Sequence, residues 1–316
     1  MRYLTPDIFE GQDGWLFLAG GTNQILKFFS RDGAELDAVL TGWADLLHAR
    51  QARAAQLGAR YFQVIVPDKL NTYREEAELG DALLRFPAEQ IERRAAELGL
   101  ADVIIPLTDY FRRQKSRYRM FWLTDTHYTI QGCYSAYQMI CAHLKIAPKP
   151  DLMYRPSTTI ETALDLGGKL DPVRTEQFGI GQFAQDTERR YANELVTIRE
   201  RKLVSNDIGL HTGSMVSFEN KAASAADINL LVFGDSFFEY RTHLLTGMFA
   251  ETVRKFTFVW STSIDWDIVA DIKPDVLLTE CAERFMTALP ADTINIAEHV
   301  KRKLAAIDMA HVVEMA

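Results

Sequence analysis

LLVFGDSFF, residues 230–238, contains the junction on which the fold depends, because a continuous apolar run leads directly into Gly-Asp-Ser. Such a run is typical of a strand in a parallel sheet that is covered on both faces. Residues 236–253 follow as a predicted helix. A serine at this junction lies beyond the carboxyl edge of the sheet, where open α/β sheets bind ligands. Ser236 is therefore either a nucleophile beside oxyanion-stabilising helix N–H groups or simply the N-cap of that helix.

The alternation of helix and strand recurs on both sides of this junction. It predicts an α/β fold with three layers, in which helices cover both faces of a mainly parallel sheet. The other predicted strands are RYFQVIVP (60–67), DVIIPL (102–107), FTFVW (256–260) and PDVLLTE (274–280). The other predicted helices cover residues 40–57, 87–98, 263–272 and 291–307.

The middle of the chain breaks this alternation. Prolines and scattered polar residues fill the segment 147–226, within which ELVTIRER (194–201) and GSMVSFEN (213–220) are predicted as short antiparallel strands. We interpret the segment as a mixed insertion that packs on a single domain spanning 1–316.

Composition narrows the possible partners and compartments. The 316-residue chain has a net charge of −8 and no long run of Lys or Arg, which argues against a nucleic-acid or anionic-membrane partner. The N-terminus has no apolar stretch of signal-peptide or membrane-helix length, so the predicted location is the cytoplasm. Three cysteines, Cys133, Cys141 and Cys281, lack metal-type spacing and are predicted to be reduced core residues.

A serine nucleophile needs a base, normally a histidine held by a carboxylate. His243 would lie two turns along the predicted helix, roughly 10 Å from Ser236, and is excluded on that ground. His211 falls in the irregular insertion, where little supports it. The histidines predicted to lie at the surface, without a carboxylate pattern, are His48, His143, His299 and His311.

His127 differs from these because Asp125 precedes it by two residues in FWLTDTHYTIQG, residues 121–132. In extended backbone two such residues point the same way, so Asp125 could orient the His127 ring. The alternative is an Asp-Thr-His turn that caps the following helix, which runs through Tyr134 to Leu144. Together with the Gly-Asp-Ser turn, the pattern favours the catalytic interpretation.

These motifs, in this order, resemble the alginate O-acetyltransferase group, the AlgJ and AlgX type of SGNH-hydrolase-like protein. TDTHYT at 124–129 is followed about a hundred residues later by GDSFF at 234–238. The segments that also resemble the family are GQDGWLFL (11–18), VIVPDKLNTYREE (64–76) and PDVLLTECAERFM (274–286). Two departures are Tyr128 where the family pattern has Trp and Arg74 where it has Pro.

The resemblance implies an SGNH-like α/β/α fold and a Ser236–His127–Asp125 triad that transfers an acetyl group to a hydroxyl of a polysaccharide or its precursor. It also suggests a membrane acyltransferase as a partner that supplies acetyl; the acetyl donor itself is unknown. Two rival functions are open: a carbohydrate acetylesterase with the same triad, and an inactive glycan-binding or assembly protein.

Further residues are candidates for substrate binding. Lys69 follows a strand and would touch substrate or lie in solvent, and Arg241 would hold an anion or pair with a carboxylate. Trp122 is a candidate for stacking on a sugar ring, and Tyr73 is included as a substrate-binding candidate. Asp235 is expected to shape the turn through side-chain hydrogen bonds. No metal-ligand cluster or nucleotide-binding loop is recognisable, so neither a metal nor a bound cofactor is predicted.

Overall fold

The computed structural model describes residues 2–80, 83–201 and 209–314, with side chains as far as residue 307. None of the described helices has the length and apolar character needed to cross a membrane. The strands are β1 Arg2–Thr5, β2 Ile8–Glu10, β3 Leu16–Leu18, β4 Arg60–Val66, β5 Ile104–Ile105, β6 Ser157–Ala163, β7 Thr175–Gly181, β8 Thr187–Ala192, β9 Met215–Asn220, β10 Ala226–Gly234, β11 Val253–Trp260 and β12 Val276–Ala282. The α-helices are α1 Ile25–Phe29, α2 Gly33–Gln56, α3 Lys69–Thr72, α4 Pro87–Arg93, α5 Thr108–Gln114, α6 Ile130–Leu144, α7 Glu194–Glu200, α8 Leu245–Thr252, α9 Trp266–Ile272 and α10 Ile296–Glu314.

A seven-stranded sheet with the order β5-β4-β12-β10-β11-β9-β8 forms the centre of the molecule. The first five strands in this order are parallel, and β9 and β8 add an antiparallel edge. Leu231 of β10 lies opposite Thr257 on one side and Leu277 on the other. All seven residues of β12 are buried, as expected for a parallel strand covered on both faces. The prediction of an α/β fold with a mainly parallel sheet is confirmed.

The strand order places a crevice beside β10. The chain passes from β10 outward to β11, but from β4 outward in the opposite direction to β5. Parallel sheets bind ligands where the strand order reverses in this way, outside the carboxyl ends of the strands. Ser236 follows β10 directly and therefore lies at this edge.

The middle of the chain departs from the predicted structure. GSMVSFEN forms β9 as predicted, whereas the prediction of a strand at ELVTIRER is wrong because these residues form α7. The Asn193 side chain accepts a hydrogen bond from Val196 N–H and caps that helix, whose Leu195 and Val196 are buried. An unpredicted antiparallel hairpin pairs β6 with β7. The division into one domain with an insertion at 147–226 stays a prediction.

The structure shows where the three cysteines and the histidines predicted to lie at the surface are located. Cys133, Cys141 and Cys281 are all buried and unpaired, which confirms them as core residues. His48 is exposed, and His143 and His299 are half-buried. The side chain of His311 lies outside the described residues.

Candidate active site

The turn that carries Ser236 is held by carboxyl groups at the end of the sheet. Asp235 Oδ1 accepts a hydrogen bond from Phe237 N–H at 2.9 Å, and Oδ2 accepts one from Ala282 N–H at 2.8 Å. Glu280 Oε2 in turn accepts from Asp235 N–H at 3.0 Å. Asp235 therefore shapes the turn, as predicted, and ties it to β12, the neighbouring strand.

The prediction of a helix starting at Ser236 is wrong, since α8 begins only at Leu245. Phe237 and Phe238 are both buried although they are adjacent, and Glu239 has a φ of +60°, which right-handed helix does not allow. Ser236 is thus not the N-cap of a helix, and the expected helix-terminal N–H groups are not beside it. Among the described residues the N–H of Ser236 itself has no hydrogen-bond acceptor, so it is free to bind an oxyanion.

His127 lies between Ser236 and Asp125. Its Nε2 is 2.7 Å from Ser236 Oγ, and its Nδ1 is 2.7 Å from Asp125 Oδ1. Asp125 Oδ1 also accepts from His127 N–H at 2.9 Å, so the two residues pair through a tight turn and not through the extended backbone that the sequence predicted. The alternative role as a helix cap belongs to Thr129, whose side chain accepts from Gly132 N–H.

Asp125 and His127 each shift the pKa of the other. Burial alone would raise the pKa of Asp125, but the adjacent His127 ring and its hydrogen bonds hold that pKa well below the ordinary value for a carboxyl group. Burial opposes protonation of His127, yet the Asp125 carboxylate raises the pKa of the ring above its ordinary value of about 6.5. The arrangement therefore favours a ring that takes up a proton readily at Nε2.

Two charged side chains hold the loop that carries Asp125 and His127. Lys69 Nζ donates to the carbonyl oxygens of Trp122, Leu123 and Asp125 at 2.8, 2.8 and 2.9 Å. Burial lowers the pKa of Lys69 to about 7, against the effect of the nearby carboxylates. From β7, the Glu176 carboxylate accepts from the N–H groups of Leu123 and Thr124 and from the Thr124 hydroxyl. The loop is thus fixed from both sides.

The expectation that Lys69 and Tyr73 touch substrate is not met by this geometry. Lys69 is 3% exposed and its ammonium is fully occupied by the loop carbonyls. Tyr73 is also buried, accepts a hydrogen bond from Met120 N–H and stacks on Trp15 with ring centroids 4.1 Å apart. Both side chains support the site from within the core.

Trp122 and Arg241, in contrast, line a cavity of about 640 Å³ that opens onto Ser236 and His127. Arg241 is not on a helix; its guanidinium pairs with Glu239, one of the two alternatives that the sequence left open. The lining residues that sequence reasoning missed include Ile160, Phe178 and Ile180 of the β6–β7 hairpin, together with Trp260, Glu239, His211 and His243. Sequence reasoning excluded His243 because the wrongly predicted helix placed it roughly 10 Å from Ser236.

A group of possible metal ligands lies beside the triad. Atoms of Asp125, His127 and Asp165 are within 4.8 Å of one another. Each already has a partner: Asp165 accepts from Thr126 Oγ1 at 2.8 Å and pairs with Lys169 at 2.7 Å, and Asp125 pairs with His127. These hydrogen bonds account for the grouping without an ion.

Two carboxyl groups near the last strand also have structural partners. Glu280 binds the turn at Asp235, and Glu283 accepts from Asp68 N–H, Asn71 Nδ2 and Ala88 N–H. Burial raises the pKa of Glu283 to about 8 and that of Glu280 well above its ordinary value. Neither residue lines the cavity that contains Ser236.

Comparison with known proteins gives consistent results for fold and family. Residues 8–200 match the model of a family described as SGNH hydrolase-like domain, acetyltransferase AlgX. The matched part includes Asp125 and His127, and Ser236 lies beyond it. No curated protein matches the sequence.

Solved structures with a similar fold include the O-acetyltransferase domain of Pseudomonas putida AlgJ, at 15% identity and a TM-score of 0.55 over 94% of this chain and 99% of that one. Bacillus cereus PatB1 with a sulfonyl adduct has 14% identity and a TM-score of 0.62 over 89% and 96% of the two chains. Pseudomonas aeruginosa AlgX has 14% identity and a TM-score of 0.53 over 89% and 63%. At these identities the likeness shows the fold, and the family match over 8–200 shows that this chain belongs to the SGNH hydrolase-like, AlgX-type acetyltransferase family.

Proposed function

We propose that the protein is a carbohydrate O-acetyltransferase that works through an acetyl ester on Ser236. The observation that carries the proposal is the continuous chain of contacts from Ser236 Oγ to His127 Nε2 and from His127 Nδ1 to Asp125, with both distances at 2.7 Å. A serine, a histidine base and a carboxylate in this geometry are the requirements for nucleophilic acyl transfer. Membership of an acetyltransferase family supports the choice of acyl group.

In the first half-reaction Ser236 Oγ attacks the carbonyl carbon of an acetyl ester, and its proton passes to His127 Nε2. The carbonyl electron pair moves onto oxygen, where the free N–H of Ser236 stabilises the negative charge. When the intermediate collapses, the donor's alkoxide leaves and takes the proton from His127. Ser236 then carries the acetyl group, and no cofactor is required.

In the second half-reaction a sugar hydroxyl replaces the departed alcohol. His127 Nε2 accepts the proton of this hydroxyl as its oxygen attacks the acetyl carbon. Ser236 leaves and regains the proton from His127. Asp125 remains ionised throughout and stabilises the charged ring. The acceptor would lie against Trp122, Phe178 and Trp260, since aromatic side chains suit the apolar faces of sugar rings.

The test is release of p-nitrophenol from p-nitrophenyl acetate by the wild type and by Ser236→Ala. We expect the variant to lose at least about 10⁴-fold in turnover, because the nucleophile itself is removed. Ser157→Ala, at an exposed position of β6, is the matched control and should keep wild-type turnover. Equal slow release by wild type and Ser236→Ala, both folded, would contradict the proposal and favour an inactive glycan-binding protein.

The same assay separates transfer from simple hydrolysis. With a saccharide acceptor present, a transferase yields acetylated saccharide and its turnover rises with acceptor concentration. An acetylesterase yields only acetate, whatever the acceptor concentration. Delivery of the acetyl group by a membrane acyltransferase stays a prediction.

A further inference from the structure

We propose that the acceptor is an uncharged saccharide and that Glu239 sets this preference by occupying the guanidinium of Arg241; this inference rests on the proposed function. Arg241 Nε lies 2.9 Å from Glu239 Oε1, and Arg241 Nη2 lies 2.7 Å from Glu239 Oε2. A guanidinium at the wall of the cavity would otherwise be suited to a carboxylate, which it binds with the same two-pronged geometry. Here both of these guanidinium nitrogens already bind the carboxylate of Glu239.

The position of Glu239 is set by the turn that carries Ser236. Glu239 N–H donates to Asp235 O at 3.0 Å, and the Thr246 hydroxyl donates to the Glu239 carbonyl oxygen. The residue is 6% exposed and has a φ of +60°. Such conformations in residues other than glycine cost free energy and cluster at functional sites. Glu239 therefore has little freedom to release Arg241 when a ligand enters.

Two further histidines of the wall, His243 and His211, do not supply a positive charge. Burial, assisted by Arg241, lowers the pKa of His243 to about 4, and burial also lowers the pKa of His211. Burial thus disfavours the positively charged form of both rings. Of the described lining residues, Asp125 and Glu239 are carboxylates, and each is paired with a basic side chain of the same wall, His127 and Arg241 respectively.

Cations just outside the wall are engaged in other contacts. Arg119 lies over Trp122 but pairs with Glu176 at 3.0 Å. Arg199 lies over the rings of Tyr240 and Trp260, 5.1 and 5.5 Å from their centroids, and its buried Nη1 has no hydrogen-bond partner among the described residues. Neither residue lines the cavity. A sugar carboxylate would therefore find no cation among the described lining residues that lacks a carboxylate partner, since Arg241 is held by Glu239 and His127 by Asp125.

Past Trp260 the described lining residues include no Lys, Arg or His. This indole also borders a second cavity of about 350 Å³ at the same edge of the sheet. Hydroxyl-bearing residues line it, and the oxygens of Asp235, its one described ionisable lining group, accept hydrogen bonds from Phe237 and Ala282. Hydroxyl groups beside an aromatic ring suit a further neutral sugar unit. The hydroxyl-bearing residues are Thr212, Ser261, Thr262 and Thr287.

The experiment compares two acceptors of equal length, a glucose oligosaccharide and the corresponding glucuronic acid oligosaccharide, with p-nitrophenyl acetate as donor. Acetylated saccharide is quantified by mass spectrometry. We expect wild type to acetylate the neutral acceptor at least about tenfold faster, because a uronate would give up its hydration at a wall that offers no unpaired cation in exchange. Glu239→Gln should raise transfer to the uronate about five- to tenfold, and high salt should remove most of that gain.

A double variant, Glu239→Gln with Arg241→Gln, is the matched control. It removes the carboxylate but leaves no free guanidinium, so transfer to the uronate should fall back below that of Glu239→Gln alone. If Glu239→Gln does not fold, Arg241→Gln provides the test, since this side chain is half exposed. In this variant the Glu239 carboxylate is left without its partner and should widen the preference for the neutral acceptor.

Release of p-nitrophenol without acceptor distinguishes the two proposals. If Ser236→Ala releases p-nitrophenol as fast as wild type, the proposed function fails. If release is normal but wild type prefers the uronate, the proposed function survives and the inference of an uncharged acceptor is overturned. An unchanged acceptor ratio in folded Glu239→Gln and Arg241→Gln would overturn the role assigned to Glu239.

Discussion

The two halves of the triad are held by different kinds of interaction. Ser236 follows β10, and its turn is bound to the adjacent strand through Asp235 and Glu280, by hydrogen bonds among buried groups. His127 lies in a loop without regular structure that depends on the Lys69 ammonium and the Glu176 carboxylate. The nucleophile thus takes its position from the sheet, whereas the base takes its position from two charged side chains. Loss of the Lys69 ammonium should accordingly damage the second half far more than replacement of the Glu280 carboxyl group by an amide damages the first.

The largest effect that tests this difference is expected from Lys69→Met. The change removes the donor to three loop carbonyls but preserves most of the buried volume. We expect kcat for p-nitrophenyl acetate to fall about 10²-fold, since a displacement of about 1 Å at a catalytic group has that effect. KM should change little, because Lys69 does not line the cavity.

Lys221→Met, at an exposed position, makes the same chemical change away from the site and should keep wild-type kcat. Circular dichroism would verify that both variants are folded. A folded Lys69→Met with a kcat within about twofold of wild type would show that the ammonium does not position the loop.

The pH dependence of kcat/KM sharpens the same comparison. The His127 ring must be unprotonated at Nε2 to accept the proton of Ser236, and Asp125 raises the pKa of that ring above its ordinary value despite burial. The rate should therefore fall about tenfold per pH unit below a midpoint above about 6.5. Asp125→Asn should move the midpoint down, because the group that raises the pKa is gone. A wild-type midpoint below about 6 would contradict this account of the pair.

The smallest effect is expected from Glu280→Gln, on the serine side. Burial raises the pKa of Glu280 well above the ordinary value, which favours the uncharged acid, and its Oε2 accepts a hydrogen bond from Asp235 N–H. Glutamine keeps an uncharged acceptor of the same shape. We expect activity within about twofold of wild type and a change in the free energy of unfolding below about 1 kcal/mol.

Glu280→Ala provides the contrast, since it removes the acceptor and leaves a cavity. Its unfolding free energy should fall by about 2–4 kcal/mol. Urea denaturation would measure both variants. If glutamine is as damaging as alanine, the serine side also depends on a charge, and the distinction between the two halves disappears.

The parts of the structure that sequence predicts are those with a local signal. The apolar runs of β4, β10 and β12 show the parallel strands, and Asp125, His127 and Ser236 stand in recognisable motifs. The helix predicted at 236–253 fails because hydrophobic spacing does not show the φ of +60° at Glu239. That error also hid His243 from the search for groups near Ser236.

The roles of Lys69 and Glu176 could not be predicted for a different reason. Lys69 bonds to carbonyl oxygens that lie 53 to 56 residues further along the chain, and backbone acceptors leave no trace in a sequence. The hairpin of β6 and β7 is exposed along much of its length, so its strands lack the alternating apolar pattern. Sequence reasoning therefore finds the reacting groups but misses the two side chains that hold the catalytic loop, Lys69 and Glu176, and one wall of the cavity.

The most direct measurement is mass spectrometry of the protein quenched in acid after brief exposure to p-nitrophenyl acetate. Our account predicts one added acetyl group on the peptide that contains Ser236, formed in wild type and absent in Ser236→Ala. Addition of a saccharide acceptor before quenching should remove the label and transfer it to the sugar. An acetyl group found only on lysine residues, equally in wild type and variant, would contradict the acyl-serine mechanism.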